Sequence, residues 1–265
     1  MTLSVTSWNV NSIKARLPNV VEWLKEAAPD VACLQELKCV DEAFPRLEIE
    51  HLGYNVETVG QKTYNGVALL SKRPIEEVAL RGLPLPEGEE DEQSRYIEAV
   101  IAAESGPVRI ACLYLPNGNP APGPKYDYKL SWMKRLHDRA QELLALEEPV
   151  ILAGDYNVIP RNADVHDPAR WEGDALFRPE THDAFYALRW LGYSDAFEQA
   201  DGRAYQYTFW DYQAGAWPKN NGIRIDHLLL SPRAADTLES VEIDKGPRGK
   251  EKASDHTPIT GHFAL

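Results

Sequence analysis

Eight polar residues stand at the ends of apolar stretches spread along the chain: Asn9, Glu36, Tyr114, Asp155, Asn157, Asp226, Asp255 and His256. One such residue signifies little, because Asp and Asn are common in the turn after a strand. Asp255 before His256 can be a cap and a satisfied polar pair, and Asn9 can bond its own backbone. The set as a whole makes a candidate site, since burying that many polar groups without a use costs stability. Carboxylate and amide donors with no cysteine suit a hard divalent ion, Mg²⁺ with Mn²⁺ as second choice, rather than zinc. An acid to hold the ion, a second acid to orient water and a cationic histidine to meet developing negative charge are the parts of phosphoryl chemistry. In that arrangement Asp226 fixes the tautomer of His256 and raises its pKa.

These residues need elements to carry them. Val150-Ile-Leu-Ala153 runs into Gly154-Asp-Tyr-Asn157, which reads as a strand buried on both faces. Gly154 is expected to let the chain turn sharply, with Asp155 and Asn157 then alternating onto one side. Ligands in α/β sheets collect at such strand ends. At the amino end, residues 3–9 alternate and read as a strand ending on Asn9. Pro18 suits the first turn of a helix whose apolar side is Val20, Val21, Trp23 and Leu24. Residues 31–35 form a second apolar strand that ends on Glu36. If the two strands are parallel, Asn9 and Glu36 share one sheet edge. Further strands are expected at 54–59, 66–71, 75–80, 95–103, 107–115 and 223–230, with a last one running to Leu265. Residues 84–93 read as an acidic surface loop. Helices are expected at 125–146, with Leu130, Met133, Leu136, Ala140 and Leu143 inward, and at 180–191. A Pro- and Gly-rich loop ending at Pro124, too long for a plain turn, precedes the first, and an irregular polar stretch at 159–179 lies between them. Residues 205–212 are rich in aromatics.

Strand-like runs continue to the last residues, so one domain over residues 1–265 is the expectation. A hydrophobic content of 43% fits an ordinary packed core. Cys33, Cys39 and Cys112 sit in or beside apolar runs without metal-binding spacing, which fits reduced core thiols in a cytoplasmic protein. No signal-like segment and no apolar run long enough to span a membrane is present. The net charge of −13 argues against a protein that coats nucleic acid. It accords with carboxylates gathered around a cation, and it leaves room for a local basic track. Lys38, Lys62, Arg95, Lys125, Lys219 and the island at 245–252 are the candidates for that track.

Seven segments follow one another in order: Trp8-Asn-Val-Asn-Ser-Ile-Lys-Ala-Arg16, Leu34-Gln-Glu-Leu-Lys38, Gly66-Val-Ala-Leu-Leu-Ser71, Tyr114-Leu-Pro-Asn117, Gly154-Asp-Tyr-Asn157, Arg224-Ile-Asp226 and Ser254-Asp-His256. Over nearly its whole length the chain resembles the exonuclease III family of bacterial abasic-site endonucleases, within the endonuclease/exonuclease/phosphatase superfamily. The resemblance implies a four-layer α/β sandwich, two packed mixed β-sheets flanked by helices. It implies Glu36 as the main metal ligand, with Asn9, Asp155, Asn157 and Asp255 around the ion. Asp155 would position and activate the water, with Asn157 orienting the phosphate or Asp155 itself, while Tyr114 and Asn117 contact the scissile phosphate or leaving oxygen. His256, supported by Asp226, would donate to a non-bridging oxygen. Phe209 and Ile223 would form an apolar pocket for a flipped abasic sugar, and Lys38 and Arg95 would meet the DNA. The implied reaction is hydrolysis of double-stranded DNA 5′ to abasic sites and at 3′ ends, by a monomer, leaving a 3′-hydroxyl and a 5′-phosphate. The readings set against it are a superfamily phosphatase or phosphodiesterase acting on inositol phosphates or lipids, and a non-catalytic DNA-binding relative. The intact set from Asn9 to His256 speaks against the last.

Overall fold

The computed structural model describes residues 2–86, 89 and 91–265, so the acidic loop expected at 84–93 lies partly outside the described residues. The described residues form the strands β1 (Leu3–Asn9), β2 (Val31–Gln35), β3 (Asn55–Val59), β4 (Val67–Ser71), β5 (Ile75–Arg81), β6 (Tyr96–Ala103), β7 (Gly106–Tyr114), β8 (Val150–Asp155), β9 (Ser194–Asp195), β10 (Asp226–Leu230), β11 (Leu238–Ile243) and β12 (Ile259–Phe263). The helices are α1 (Ile13–Glu26), α2 (Arg46–Glu50), α3 (Pro124–Leu144), α4 (Pro179–Trp190), α5 (Ala196–Ala200) and α6 (Pro232–Ala235).

The strands form two six-stranded sheets, β11-β12-β1-β2-β4-β3 and β5-β6-β7-β8-β10-β9. Their pairings follow the same sequence of directions. Each sheet has one parallel pair at its centre, β1 with β2 and β7 with β8, flanked on both sides by antiparallel neighbours. The carboxyl ends of a central parallel pair are where an α/β sheet leaves room for a ligand. Here those ends carry Asn9, the Gln35–Glu36 junction, Tyr114 and Asp155.

Alternation along the strands decides the layers. Val5, Val31, Cys33, Val67 and Leu69 of the first sheet meet Ile97, Ala99, Ile110, Cys112, Ile151 and Ala153 of the second in one core. The opposite residues Trp8, Ala32, Leu34, Ala68 and Leu70 pack under Val20, Trp23 and Leu24 of α1. On the second sheet, Ala111, Leu113, Val150, Leu152 and Leu229 pack under α3 and α4, through Trp132, Met133, Leu136, Phe185 and Leu188. The fold is therefore the four-layer α/β sandwich: helices, sheet, sheet, helices. All three cysteines are free and buried.

Some local expectations need correction. Helix α1 starts at Ile13, with Pro18 inside it, because its first turn is fixed by other bonds. Ser12 N and Ile13 N donate to the Glu36 and Leu37 carbonyls at 2.7 and 3.2 Å, and the Ser12 hydroxyl accepts from Ala15 N. Gly154 lies within β8, not at a turn. A Cβ there would come within 2.1 Å of the Leu113 carbonyl oxygen, so close approach of the β7 backbone is what requires glycine. The strand expected from residue 223 begins only at Asp226. Residues 223–225 are drawn out of register, with Ile223 making isolated bridges to Val165 and Phe209. The short helices α2, α5 and α6 and the strands β9 and β11 were not legible, being brief or on a half-exposed edge.

The displaced segment is anchored by a buried ion cluster. The Arg224 guanidinium is inaccessible to solvent. It donates to Asp164 through Nε at 2.9 Å and to Asp195 through Nη1 at 2.8 Å, and His227 Nδ1 lies 3.2 Å from the same Asp195 oxygen. Burial pushes the Asp195 carboxyl up, but Arg224 and His227 outweigh it and hold it far below the usual carboxylate range. A carboxylate depressed in the folded state contributes stability above its unfolded pKa, about 4, and loses it as pH falls further. Asp195→Asn keeps an acceptor for the N-terminus of α5 while leaving Arg224 underpaired. It is expected to cost about 3–5 kcal/mol at pH 7. Urea melts should show the gap from wild type narrowing below about pH 4; equal stabilities at pH 7 would contradict this.

Candidate metal and phosphate site

The four strand ends deliver their side chains to one point between the sheets. Asn9 Nδ2 donates to Glu36 Oε1 and to Asp155 Oδ2, both at 2.9 Å. Tyr114 Oη donates to Glu36 Oε1 at 2.8 Å. Asp226 begins β10, opposite Asp155 in the antiparallel register, and its Oδ2 lies 2.8 Å from His256 Nδ1. His256 Nε2 stands 3.7 Å from Asp155 Oδ2. Glu36, Asp155 and His256 thus offer three ligand atoms within 4.8 Å of one another.

The backbone is bent to achieve this. Asn11, Glu36, Lys38 and Asn157 have φ of 44°, 55°, 54° and 48°, the left-handed region that non-glycine residues enter at a cost. Asn157 therefore does not reach the site by strand alternation. It is turned there by its N–H to Asp155 Oδ1 and its Nδ2 to the Leu115 carbonyl, both 2.9 Å. Its Oδ1 accepts from Asn117 Nδ2 at 3.1 Å, a contact between two candidate residues that the sequence did not link. Asp255 faces Asn11, accepting from its Nδ2 at 3.0 Å. Of the three carboxylates expected as metal ligands, Glu36 and Asp155 belong to the cluster of close ligand atoms among the described residues. Asn9 presents its amide nitrogen to the carboxylates, while its Oδ1 accepts from Asn11 N.

The electrostatics divide the roles. Burial alone would neutralise His256, but Asp226 and then Asp155 outweigh it and push the imidazole up to about 10. Burial, with Asp226 adding to it, lifts Asp155 to about 7 against the opposing pull of His256 and Asn9. Burial also lifts Glu36, but Lys38, Asn9 and His256 together hold it below its ordinary value. An imidazolium has no lone pair for a metal, so within the cluster the carboxylate oxygens of Glu36 and Asp155 are the fitting ligands. An all-oxygen set suits a hard divalent cation, and such a cation would favour the ionised form of Asp155.

A cavity of about 310 Å³ opens over these residues. Its polar side includes Glu36, Tyr114, Asn117, Asp155, Asp174 and His256; its apolar side is Trp171, Leu176, Phe209, Ile223 and Ile225. Phe209 stands edge-on to His256 at 5.0 Å between ring centroids. Neighbouring Trp210 is fully buried, with Nε1 on Asn220 Oδ1, so only one of the two aromatics faces the cavity. Lys38 and Arg95 are both present but engaged. Lys38 Nζ sits 2.9 Å from Glu36 Oε2, and Arg95 lies over the Tyr114 ring at 4.7 Å while donating to the Tyr114 carbonyl. The sequence reading missed Trp171, Asp174 and Leu176, which come from the irregular stretch after β8. Its length without regular structure was the available signal. It also missed Lys129, treated below.

The model of the Endonuclease/Exonuclease/phosphatase family matches residues 6–256. The chain belongs to this family. Among its family relatives, exodeoxyribonuclease III of Haemophilus influenzae is 33% identical over 272 residues, covering 97% of this chain and 98% of that one. An AP endonuclease structure from Archaeoglobus fulgidus superposes with a TM-score of 0.92 at 34% identity, covering 99% and 100% of the two chains. A 3′ phosphatase from Neisseria, bound to a product DNA hairpin, superposes at 0.93 with 35% identity and the same coverage. These family members span this chain from end to end, so the strand ends that build the site fall inside the shared fold. No helix among the described residues is long and apolar enough to cross a membrane.

Proposed function

We propose that this chain is a divalent-metal-dependent DNA repair nuclease. It hydrolyses phosphodiesters 5′ to abasic sites and removes nucleotides or blocking groups from 3′ ends. The observation that carries this reading is the Glu36–Asp155–His256 cluster, set against the apolar wall of Phe209 and Ile223 in a single cavity. It is supported by the names of the relatives, which include an exodeoxyribonuclease, an AP endonuclease and a 3′ phosphatase with DNA.

Each residue has a role that its surroundings allow. Glu36 and Asp155 would hold the ion, with Asn9 aligning both carboxylates and Asn157 and Asp255 completing the surround. Mg²⁺, or Mn²⁺ in its place, supplies positive charge to the phosphate and leaving oxygen when bound. Asp155 accepts a proton from water, oriented by Asn157. The water oxygen bonds to phosphorus, the bond from phosphorus to the 3′ oxygen breaks, and that oxygen takes a proton from solvent to leave as a 3′-hydroxyl opposite a 5′-phosphate. His256, kept protonated by Asp226, donates through Nε2 to a non-bridging oxygen as charge accumulates there. Tyr114 and Asn117 border the phosphate. Phe209 and Ile223 offer a dry surface to a sugar that carries no base. Lys38 and Arg95 add positive charge at the rim, set in an otherwise acidic chain. We place the whole activity in one domain over residues 1–265, acting as a cytoplasmic monomer.

The test is a three-way comparison: a labelled duplex with one abasic analogue, an intact duplex with recessed 3′ ends, and an inositol polyphosphate. The expected result is cleavage of the abasic duplex and shortening of the recessed one. Phosphate release from the inositol compound alone would overturn the reading.

A further inference from the structure

Helix α3 buries a lysine on its apolar side. Lys129 has no exposed surface and shares that side with Tyr126, Trp132, Met133 and Leu136. An ammonium removed from water costs several kcal/mol unless it is bonded. A methionine would fill the same space without that cost. Burial accordingly drives Lys129 down to about 7, against the pull of Asp155 and Asp174.

What holds the ammonium is specific. Nζ donates to the main-chain carbonyl of Asn157 at 2.6 Å and to that of Asn117 at 3.1 Å. These two residues belong to different segments, one after β7 and one after β8, and their side chains bond each other at 3.1 Å. Asn157 is also in the left-handed region, a conformation that needs external support in a non-glycine residue. Gly118, next to Asn117, has φ +90°, and a Cβ there would lie 2.7 Å from Lys129 Cδ. The loop is thus closed down onto the lysine stem.

We propose that Lys129 is a positioning residue for the phosphate site, its buried ammonium tying the Asn117 and Asn157 backbones together so that their side chains stand at a fixed spacing over the substrate. The inference rests on the functional reading above, in which those two asparagines border the phosphate and orient the water. Lys129 lies beneath the site and does not line its cavity. Its removal acts on geometry, and a displacement of about 1 Å in a positioning group costs on the order of 10²-fold in rate.

The experiment uses Lys129→Met in the full chain, with two readouts. The first is steady-state cleavage of the abasic duplex across a Mg²⁺ series. The expectation is a kcat lowered about 10²-fold, with KM for DNA and the Mg²⁺ midpoint within about threefold of wild type. The second is the side-chain amide NMR signals of Asn117 and Asn157, which should move or broaden while those of Asn55 stay in place. This readout needs no turnover, so it tests the clamp even if wild type cuts no DNA, an outcome that would sink only the functional reading. Unmoved Asn117 and Asn157 signals would overturn the proposal. So would moved signals with unchanged kcat in an active enzyme, or a lower melting temperature as the sole effect. Should Lys129→Met not fold, Gly118→Ala carries the same expectations, since its methyl, 2.7 Å from Lys129 Cδ, displaces the lysine stem and draws the ammonium off the two carbonyls.

Discussion

Glu36→Ala is expected to lower Mg²⁺-supported turnover of an abasic duplex by about 10³-fold or more. A metal ion at a phosphoryl centre supplies several kcal/mol of charge stabilisation, and each 1.4 kcal/mol is about tenfold. Glu36 is also the acceptor that unites the site, since Asn9 Nδ2 and Tyr114 Oη meet on its Oε1 and Lys38 pairs with its Oε2. Losing it removes the main oxygen ligand and frees three neighbours at once. The effect on folding should be small, because the carboxylate lines the cavity and not the packed interior. The check is a Mg²⁺ titration of initial rate beside a thermal melt. A folded variant with wild-type turnover would remove Glu36 from the mechanism.

His256→Ala is expected to lower kcat by about 10²–10³-fold, the range for deleting one donor to developing charge. The KM for DNA should change only a few fold, because the imidazolium serves charge that appears in the transition state. The backbone role of this residue survives the substitution: its carbonyl accepts from Trp8 Nε1 and its N–H donates to the Ser254 hydroxyl. Asp226→Asn should move the rate in the same direction by less, since Asp226 acts through the ring it holds at 2.8 Å. Single-turnover rates at saturating enzyme, compared with equilibrium binding to an uncleavable duplex, separate the two effects. A binding defect with unchanged chemistry would refute the assignment.

Much of this is legible in the sequence alone. The alternation of β1 and the apolar runs of β2 and β8 placed Asn9, Glu36 and Asp155 at strand ends, and parallel pairing at the centre of each sheet brought those ends together. Asp226 and His256 were paired on chemical grounds and do pair. What stayed hidden depended on tertiary contacts. Gly154 looked like a turn glycine because nothing in its neighbours reveals how closely the Leu113 backbone passes. Ile223 and Arg224 looked like the start of a strand, but a buried ion cluster formed with the distant Asp164 and Asp195 pulls them away. Lys129 drew no reading from the sequence, because two carbonyl acceptors from separate loops leave no mark there. The apolar wall from Trp171 and Leu176 comes from a stretch with no periodicity.

The central claim is metal-dependent hydrolysis of DNA on the 5′ side of a lesion. Its most direct test is end-group analysis of an abasic duplex incubated with the protein in Mg²⁺ and in chelator. The account predicts one cut 5′ to the abasic residue, a 3′-hydroxyl that a polymerase extends, a 5′-phosphate on the sugar fragment, and no cut in chelator. A chelator-resistant cut on the 3′ side, leaving an unsaturated sugar end, would mean elimination instead of hydrolysis and would contradict it.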